Sequence, residues 1–81
     1  MENRIALIGI VISDHKNIDR LNHILSEYGQ YMLGRMGLPH QRNDIALISI
    51  GIEAPQDVIN ALSGKIGRLE GISSQVIYAK C

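Results

Sequence analysis

Residues 57–72 read DVINALSGKIGRLEGI, a stretch that predicts a helix, a turn and the start of a strand. Its apolar residues recur at the helical period, at Ile59, Leu62, Ile66 and Leu69. Gly64 and Gly67 lie among them, and each costs about 1 kcal/mol inside a helix relative to alanine. We expect these two glycines to let the helix pack unusually close against a sheet. Approach of a ligand or of a partner's backbone is the alternative.

The rest of the chain predicts three more strands and one more helix. The predicted elements are a strand at 5–12, a helix at 18–28, strands at 30–38 and 45–52, a helix that Pro55 opens, and a strand at 72–78. Asn17 is the expected N-cap of the first helix and Gly29 its stop. The polar turn from Pro39 to Asp44 joins the second and third strands as a hairpin, and the two glycines of the second strand suggest a bulge. This order predicts an α+β, ferredoxin-like βαββαβ fold, with a four-stranded antiparallel sheet and two helices on one face.

The predicted sheet is apolar on the face that the helices would leave uncovered. The first strand places Ile5, Leu7, Gly9 and Val11 on one side and Ala6, Ile8, Ile10 and Ile12 on the other. An antiparallel sheet that is open to water normally has one polar face. A large uncovered apolar patch is typical of an association surface. We therefore expect a homo-oligomer, a dimer or tetramer, whose subunits cover each other's sheet faces.

Composition narrows the class of protein. Residues 1–81 are the size of a single domain, and eight basic residues balance eight acidic ones. A neutral chain without a basic block or aromatic platform is a poor nucleic-acid binder, so we expect no direct contact with nucleic acid. The apolar run at 5–12 is far below the roughly 20 residues that cross a bilayer, so no membrane span is expected. The start does not resemble a signal peptide, which makes the cytoplasm the expected location.

The loop after the first strand is the candidate effector site. We assign this site to Ser13, Asp14, His15 and Asn17. Free backbone amides at the start of the first helix could hold a carboxylate or another anion there. A simple helix cap is the alternative interpretation of the same residues.

Little else in the sequence suggests chemistry. The candidate metal ligands His15, His23, His40 and Cys81 are not spaced like a structural zinc site. We therefore expect no metal and no cofactor, and a metal- or redox-sensing module that uses these residues is the alternative. The sequence has no nucleophile elbow and no phosphate-binding loop, so we expect that the protein is not an enzyme.

Four segments of the sequence resemble a known family. They are the strand at 5–12, LGRMGLP at 33–39, DIALI at 44–48 and ALSGKIGRLEGI at 61–72. From end to end the chain resembles the ACT-like iron-only hydrogenase system regulators, which are also described as transcriptional regulators. The resemblance implies a ferredoxin-like fold, oligomers and a regulatory role.

The resemblance also implies a place for an effector. ACT domains generally bind small effectors, often amino acids, at subunit interfaces near the loop after the first strand, which here matches Ser13, Asp14, His15 and Asn17. The glycine common in that loop of amino-acid-binding ACT domains is absent. Our first hypothesis is an effector-sensing module that acts through oligomerisation and a protein partner, without catalysis. The neutral charge speaks against the remaining alternative, a regulator that binds DNA directly.

Overall fold

The computed structural model describes residues 2–38 and 44–80, and these form the predicted succession of elements. In chain order the elements are β1 Asn3–Ile12, α1 Ile18–Glu27, β2 Met32–Leu38, β3 Ala46–Pro55, α2 Gln56–Gly67 and β4 Ile72–Tyr78. The four strands form one antiparallel sheet in the order β2-β3-β1-β4. The predicted ferredoxin-like βαββαβ fold is confirmed.

One hydrophobic core lies between the sheet and the two helices. Alternate residues of β1 and β3 point into it, as the pleat of a strand requires. The core is built from the following buried residues: Ala6, Ile8, Ile10, Ile12, Leu21, Leu25, Ala46, Ile48, Ile50, Ile52, Ala54, Ile59, Leu62, Ile66 and Ile72. Since α1 and α2 both contribute, both helices cover the same face. The intervening residues of the strands lie on the other face of the sheet.

Several element boundaries differ from the predictions. Pro55 is the last residue of β3 and has an extended backbone, with φ −57° and ψ 149°, so α2 begins one residue later, at Gln56. β3 continues past residue 52 because Glu53 and Ala54 still pair with β1. β2 begins only at Met32, since Gly29–Tyr31 form a short 3-10 turn after α1.

The hairpin between β2 and β3 contains the bulge that the glycines of β2 suggest. Met32 pairs with Ile52 and Gly34 with Gly51, so Leu33 is an extra residue on β2. The predicted bulge is thus confirmed. Of the predicted turn from Pro39 to Asp44, residues 39–43 lie outside the described residues.

Gly64 and Gly67 do not pack against the sheet, and this prediction is wrong. Both glycines are exposed, and a Cβ added at either one would have no heavy atom within 4 Å outside its own helix backbone. The core side of α2 is formed by its buried residues Ile59, Leu62 and Ile66. The two glycines lie on the other side of the helix, away from the sheet. Packing against the sheet therefore does not require glycine at either position.

Candidate functional site

The loop after β1 is anchored to the turn between α2 and β4. The backbone amides of Ser13 and Asp14 both donate to the carbonyl oxygen of Gly71, at 2.7 and 3.2 Å. Gly71 has φ +82°, a left-handed conformation that glycine adopts without strain. A Cβ at this position would lie 2.5 Å from the Cβ of Asp14. Only glycine therefore allows the turn to approach the loop this closely.

The amides that we expected to be free for an anion are largely used within the chain. Besides Ser13 and Asp14, the amide of Lys16 donates to Oδ1 of Asp14 at 3.0 Å, and the amide of Ile18 donates to the carbonyl oxygen of His15. The cause is local, because His15–Asn17 form a 3-10 turn that Asp14 caps. The amides of Ser13, Asp14, Lys16 and Ile18 are therefore not available to an anion in this arrangement.

Asn17 ties the loop to the turn rather than capping α1. It occupies the predicted N-cap position, but its side chain makes no capping hydrogen bond. Its Nδ2 instead donates to the carbonyl oxygen of Glu70 at 3.1 Å. Nζ of Lys16 also lies 2.7 Å from Oε2 of Glu70, in an exposed ion pair that adds little stability. Hydrogen bonds and an ion pair thus hold the loop to residues 70 and 71.

His15 connects the same loop to the start of the third strand. Its Nε2 lies 2.6 Å from the carbonyl oxygen of Asp44. A carbonyl oxygen can only accept, so Nε2 carries the proton and donates it. This nitrogen therefore cannot ligate a metal in the same arrangement. Asp44 itself has φ 61°, an uncommon conformation in which asparagine and aspartate are enriched.

A pocket of about 350 Å³ opens beside His15, between α1 and the strands β2 and β3. Its polar groups are the side chains of His15, Asn22 and Arg35. Nη2 of Arg35 donates to Oδ1 of Asn22 at 3.3 Å. The apolar lining includes Ile12, Ile18, Leu38, Ala46 and Leu47. A guanidinium group offers paired donors to a carboxylate, so the pocket combines an anion-binding group with walls that suit a hydrocarbon.

The structure brings together only part of the predicted site. His15 lines the pocket, whereas Ser13, Asp14 and Asn17 do not. Sequence reasoning missed Arg35 and Asn22. Arg35 pairs with the buried Ile50, which places it on the helix side of the edge strand β2. The charge of Arg35 could have identified it from the sequence, since MLGRMGL contains no other charged residue.

The sheet face away from the helices carries a second, larger concavity, and we call this face the open face. Its residues are Ile5, Leu7, Gly9 and Val11 of β1, Leu33, Gly34, Met36 and Leu38 of β2, Leu47, Ser49, Gly51 and Glu53 of β3, and Ser73, Gln75 and Ile77 of β4. A groove of about 620 Å³ crosses it. Leu38, Leu47 and Ile48 line both this groove and the pocket beside His15. The two concavities therefore share these three residues.

The other candidate metal ligands do not gather around His15. His23 is exposed on α1, while His40 and Cys81 lie outside the described residues. No group of three or more His, Cys, Asp or Glu suited to a metal ion occurs within residues 2–38 and 44–80. Within the same ranges, the helices are too short and too polar to span a bilayer.

The fold is shared with other small domains of known structure. The ACT domain of a GTP pyrophosphokinase from Chlorobium tepidum superposes with a TM-score of 0.64 at 18% identity, covering 100% of this chain and 91% of that chain. CPII, a nitrogen regulatory PII-like protein from Thiomonas intermedia K12 bound to ADP, AMP and bicarbonate, superposes with a TM-score of 0.54 at 12% identity, covering 99% of this chain and 100% of that one. At these identities the likeness concerns the fold alone.

The family is defined more narrowly by sequence. The model of the TM1266-like family, described as an iron-only hydrogenase system regulator, matches residues 4–76, and the chain belongs to this family. The uncharacterized protein TM1266 from Thermotoga maritima is similar along its whole length, with 29% identity, 98% of this chain and 100% of that chain covered, and a TM-score of 0.92. None of the curated proteins matches the sequence. The resemblance to the iron-only hydrogenase system regulators is thus confirmed.

Proposed function

We propose that the chain is a single-domain, cytoplasmic regulatory module that senses a small effector and acts through association with protein, without catalysis. Membership of a family of iron-only hydrogenase system regulators supports the regulatory role. The likeness to an ACT domain and to a PII-like protein supports the same class of fold.

The effector site of this proposal is the pocket beside His15, and the loop is its support. Ser13, Asp14 and Asn17 hold the loop against residues 70 and 71, which positions the ring of His15 at the mouth of the pocket. Arg35 supplies the positive charge and Asn22 orients its guanidinium group. The effector that fits is a small anion with an apolar part, because the charge lies beside aliphatic walls.

One observation carries the link between effector and association: Leu38, Leu47 and Ile48 line both the pocket and the groove of the open face. A ligand that packs against these residues from the pocket changes the positions available to them beside the groove. A ligand shifts an association equilibrium only if it has different affinities for the two states. The shared residues are a direct physical route to such a difference.

A thermal-shift screen of amino acids, other small carboxylates and nucleotides tests the effector step. A ligand that binds the native state at 100 times its Kd stabilises it by about 2.7 kcal/mol, and a domain of this size gains about 4–8 °C per kcal/mol. His15→Ala and Arg35→Gln should each abolish the shift relative to their own unliganded melting temperatures. The matched controls His23→Ala and Arg20→Gln change exposed residues of α1 outside the pocket and should keep it.

The outcomes distinguish an error in the assigned site from an error in the proposed effector-sensing role. A shift that survives both pocket substitutions contradicts the assignment of the site. If no compound of these classes changes the melting temperature, the effector-sensing role is wrong. For an active compound, size-exclusion chromatography with light scattering then measures whether it changes the association state, as the shared residues predict.

A further inference from the structure

The open face collects the exposed apolar surface of the molecule. Among residues 2–38 and 44–80, every large hydrophobic side chain that is exposed lies on it: Ile5, Leu7, Val11, Leu33, Met36, Leu38, Leu47 and Ile77. Ile77, the most exposed of them, has 65% of its surface open to solvent. The one charged residue among those that define the open face, Glu53, lies at its end. Such a concentrated, uncharged patch is typical of an interaction surface.

The strand register gives the open face raised and recessed parts. Met36, Ser49, Gly9 and Gln75 lie in one row across the four strands, with small residues at its centre. We call the part floored by Ser49 and Gly9 the trough. On one side of it, Leu7 and Ile77 are paired neighbours and form the Leu7–Ile77 ridge. On the other side, Leu38, Leu47 and Val11 form a second ridge.

Nothing within the described chain explains a glycine at position 9. A Cβ there would meet no atom within 4 Å, and Gly9 does not have a positive φ. Glycine in the middle of a strand is unfavourable for folding because it adds backbone entropy to the unfolded state and offers no side chain to pack. The space above Gly9 is therefore open to a molecule that approaches the sheet from outside.

We propose that the open face binds a second copy of this chain, with the Leu7–Ile77 ridge of each copy seated in the trough of the other. The arrangement is isologous, because one surface carries both the ridge and the hollow that receives it. Apart from Glu53 at its end, the face has no charges that would repel when it meets itself. The proposal names the partner in the association step of the proposed function, and it rests on that function in this respect.

In flat projection the open face is smaller than a standard dimer interface. Four strands spaced about 4.8 Å apart and seven residues long at about 3.3 Å each give a projected area of roughly 440 Å² per copy. The side chains that stand above the sheet raise the accessible area beyond this projection. A standard stable interface buries about 800 Å² per partner. The open face can therefore supply a small but specific apolar interface.

Sedimentation equilibrium of the effector-free protein over the micromolar to submillimolar range tests the proposal. The wild type should dimerise. Gly9→Val should weaken the dimer by at least about tenfold, because its side chain would fill the trough that receives the ridge. Ile77→Lys should do the same through a charge on the ridge. Gly64→Ala, an exposed change on the opposite layer, should leave the dimerisation constant unchanged.

Circular dichroism shows whether each variant is folded, so that unfolding is not mistaken for a loss of the dimer. Gly9→Val should remain folded, because the chain has room for its Cβ and valine favours a strand. A wild type that stays monomeric, or a folded Gly9→Val that dimerises like the wild type, overturns the proposal. If the dimer forms as expected and no effector class binds, the interface stands and the effector-sensing role fails. If the protein is monomeric and effectors still bind at His15, the interface alone fails.

Discussion

The substitution Gly71→Ala tests whether the turn before β4 holds the candidate site together. A residue other than glycine at φ +82° costs about 1 kcal/mol or more. The new Cβ would also lie 2.5 Å from the Cβ of Asp14, whereas carbon atoms in contact are about 3.5–4.0 Å apart. Relief requires the turn and the loop to separate by about 1 Å, which breaks or weakens the hydrogen bonds from Ser13 and Asp14 to Gly71.

The sum of these effects is large for a domain of this size. Each weakened hydrogen bond costs about 1 kcal/mol, so with the backbone strain we expect a loss of about 3–5 kcal/mol from the free energy of unfolding. An 81-residue domain has about 4–12 kcal/mol in total. The melting temperature should fall by at least about 12 °C. Urea titration followed by circular dichroism measures the loss directly.

Gly64→Ala is the matched control, because it is the same chemical change at a glycine without neighbours. Gly64 is exposed within α2, and an added Cβ would meet no atom within 4 Å outside the helix backbone. Alanine there should stabilise the protein by up to about 1 kcal/mol. The two substitutions should thus have opposite signs. A loss of less than about 1 kcal/mol for Gly71→Ala would show that the close approach to Asp14 does not anchor the loop.

Two further predictions concern single polar contacts. Asn17→Ala removes the hydrogen bond to the carbonyl oxygen of Glu70 and should lower the free energy of unfolding by about 1 kcal/mol, measured by urea titration; an unchanged midpoint would refute the contact. Nζ of Lys65 lies 5.0 Å from the ring centroid of Tyr28, and the interaction with this side chain raises the pKa of Lys65 above its usual 10.5, so the stability it contributes is complete below that value and is lost as pH rises through the folded pKa. Urea midpoints measured from about pH 9 to pH 11 should therefore fall less steeply in Tyr28→Phe than in the control Tyr31→Phe.

The fold could be predicted from sequence because two physical patterns agree along the chain. β1 and β3 are rich in isoleucine and bounded by polar turns, and the helices repeat apolar residues at their own period. The boundaries were less certain. Pro55 satisfies the backbone requirements of a strand end and of a helix start equally well, so only its pairing with Asn3 assigns it to β3.

The candidate site could be predicted only in part because it is formed by register and not by neighbouring residues. Antiparallel pairing of β1 with β4 sets Ile12 opposite Ile72, and this pairing places the loop after β1 beside Gly71. Both faces of β1 are apolar, so burial alone does not specify that register in the sequence. The same holds for Arg35, which reaches Asn22 only because the bulge at residue 33 shifts the pairing of β2. His15 was accessible to prediction because its position depends on the local turn.

The glycines show which structural requirements can be recognised from the sequence alone. Helical geometry advances about 100° per residue, so Gly64 lies about 200° from the core residue Leu62, and the spacing alone could have placed it on the exposed side. Gly71 and Gly9 are different, because the atoms that exclude a side chain at Gly71 belong to a loop 57 residues earlier in the chain, at Asp14. At Gly9 no atom of the described chain excludes one. Our proposal places the reason for that glycine in a second copy that faces the sheet, and the self-association of Gly9→Val tests it.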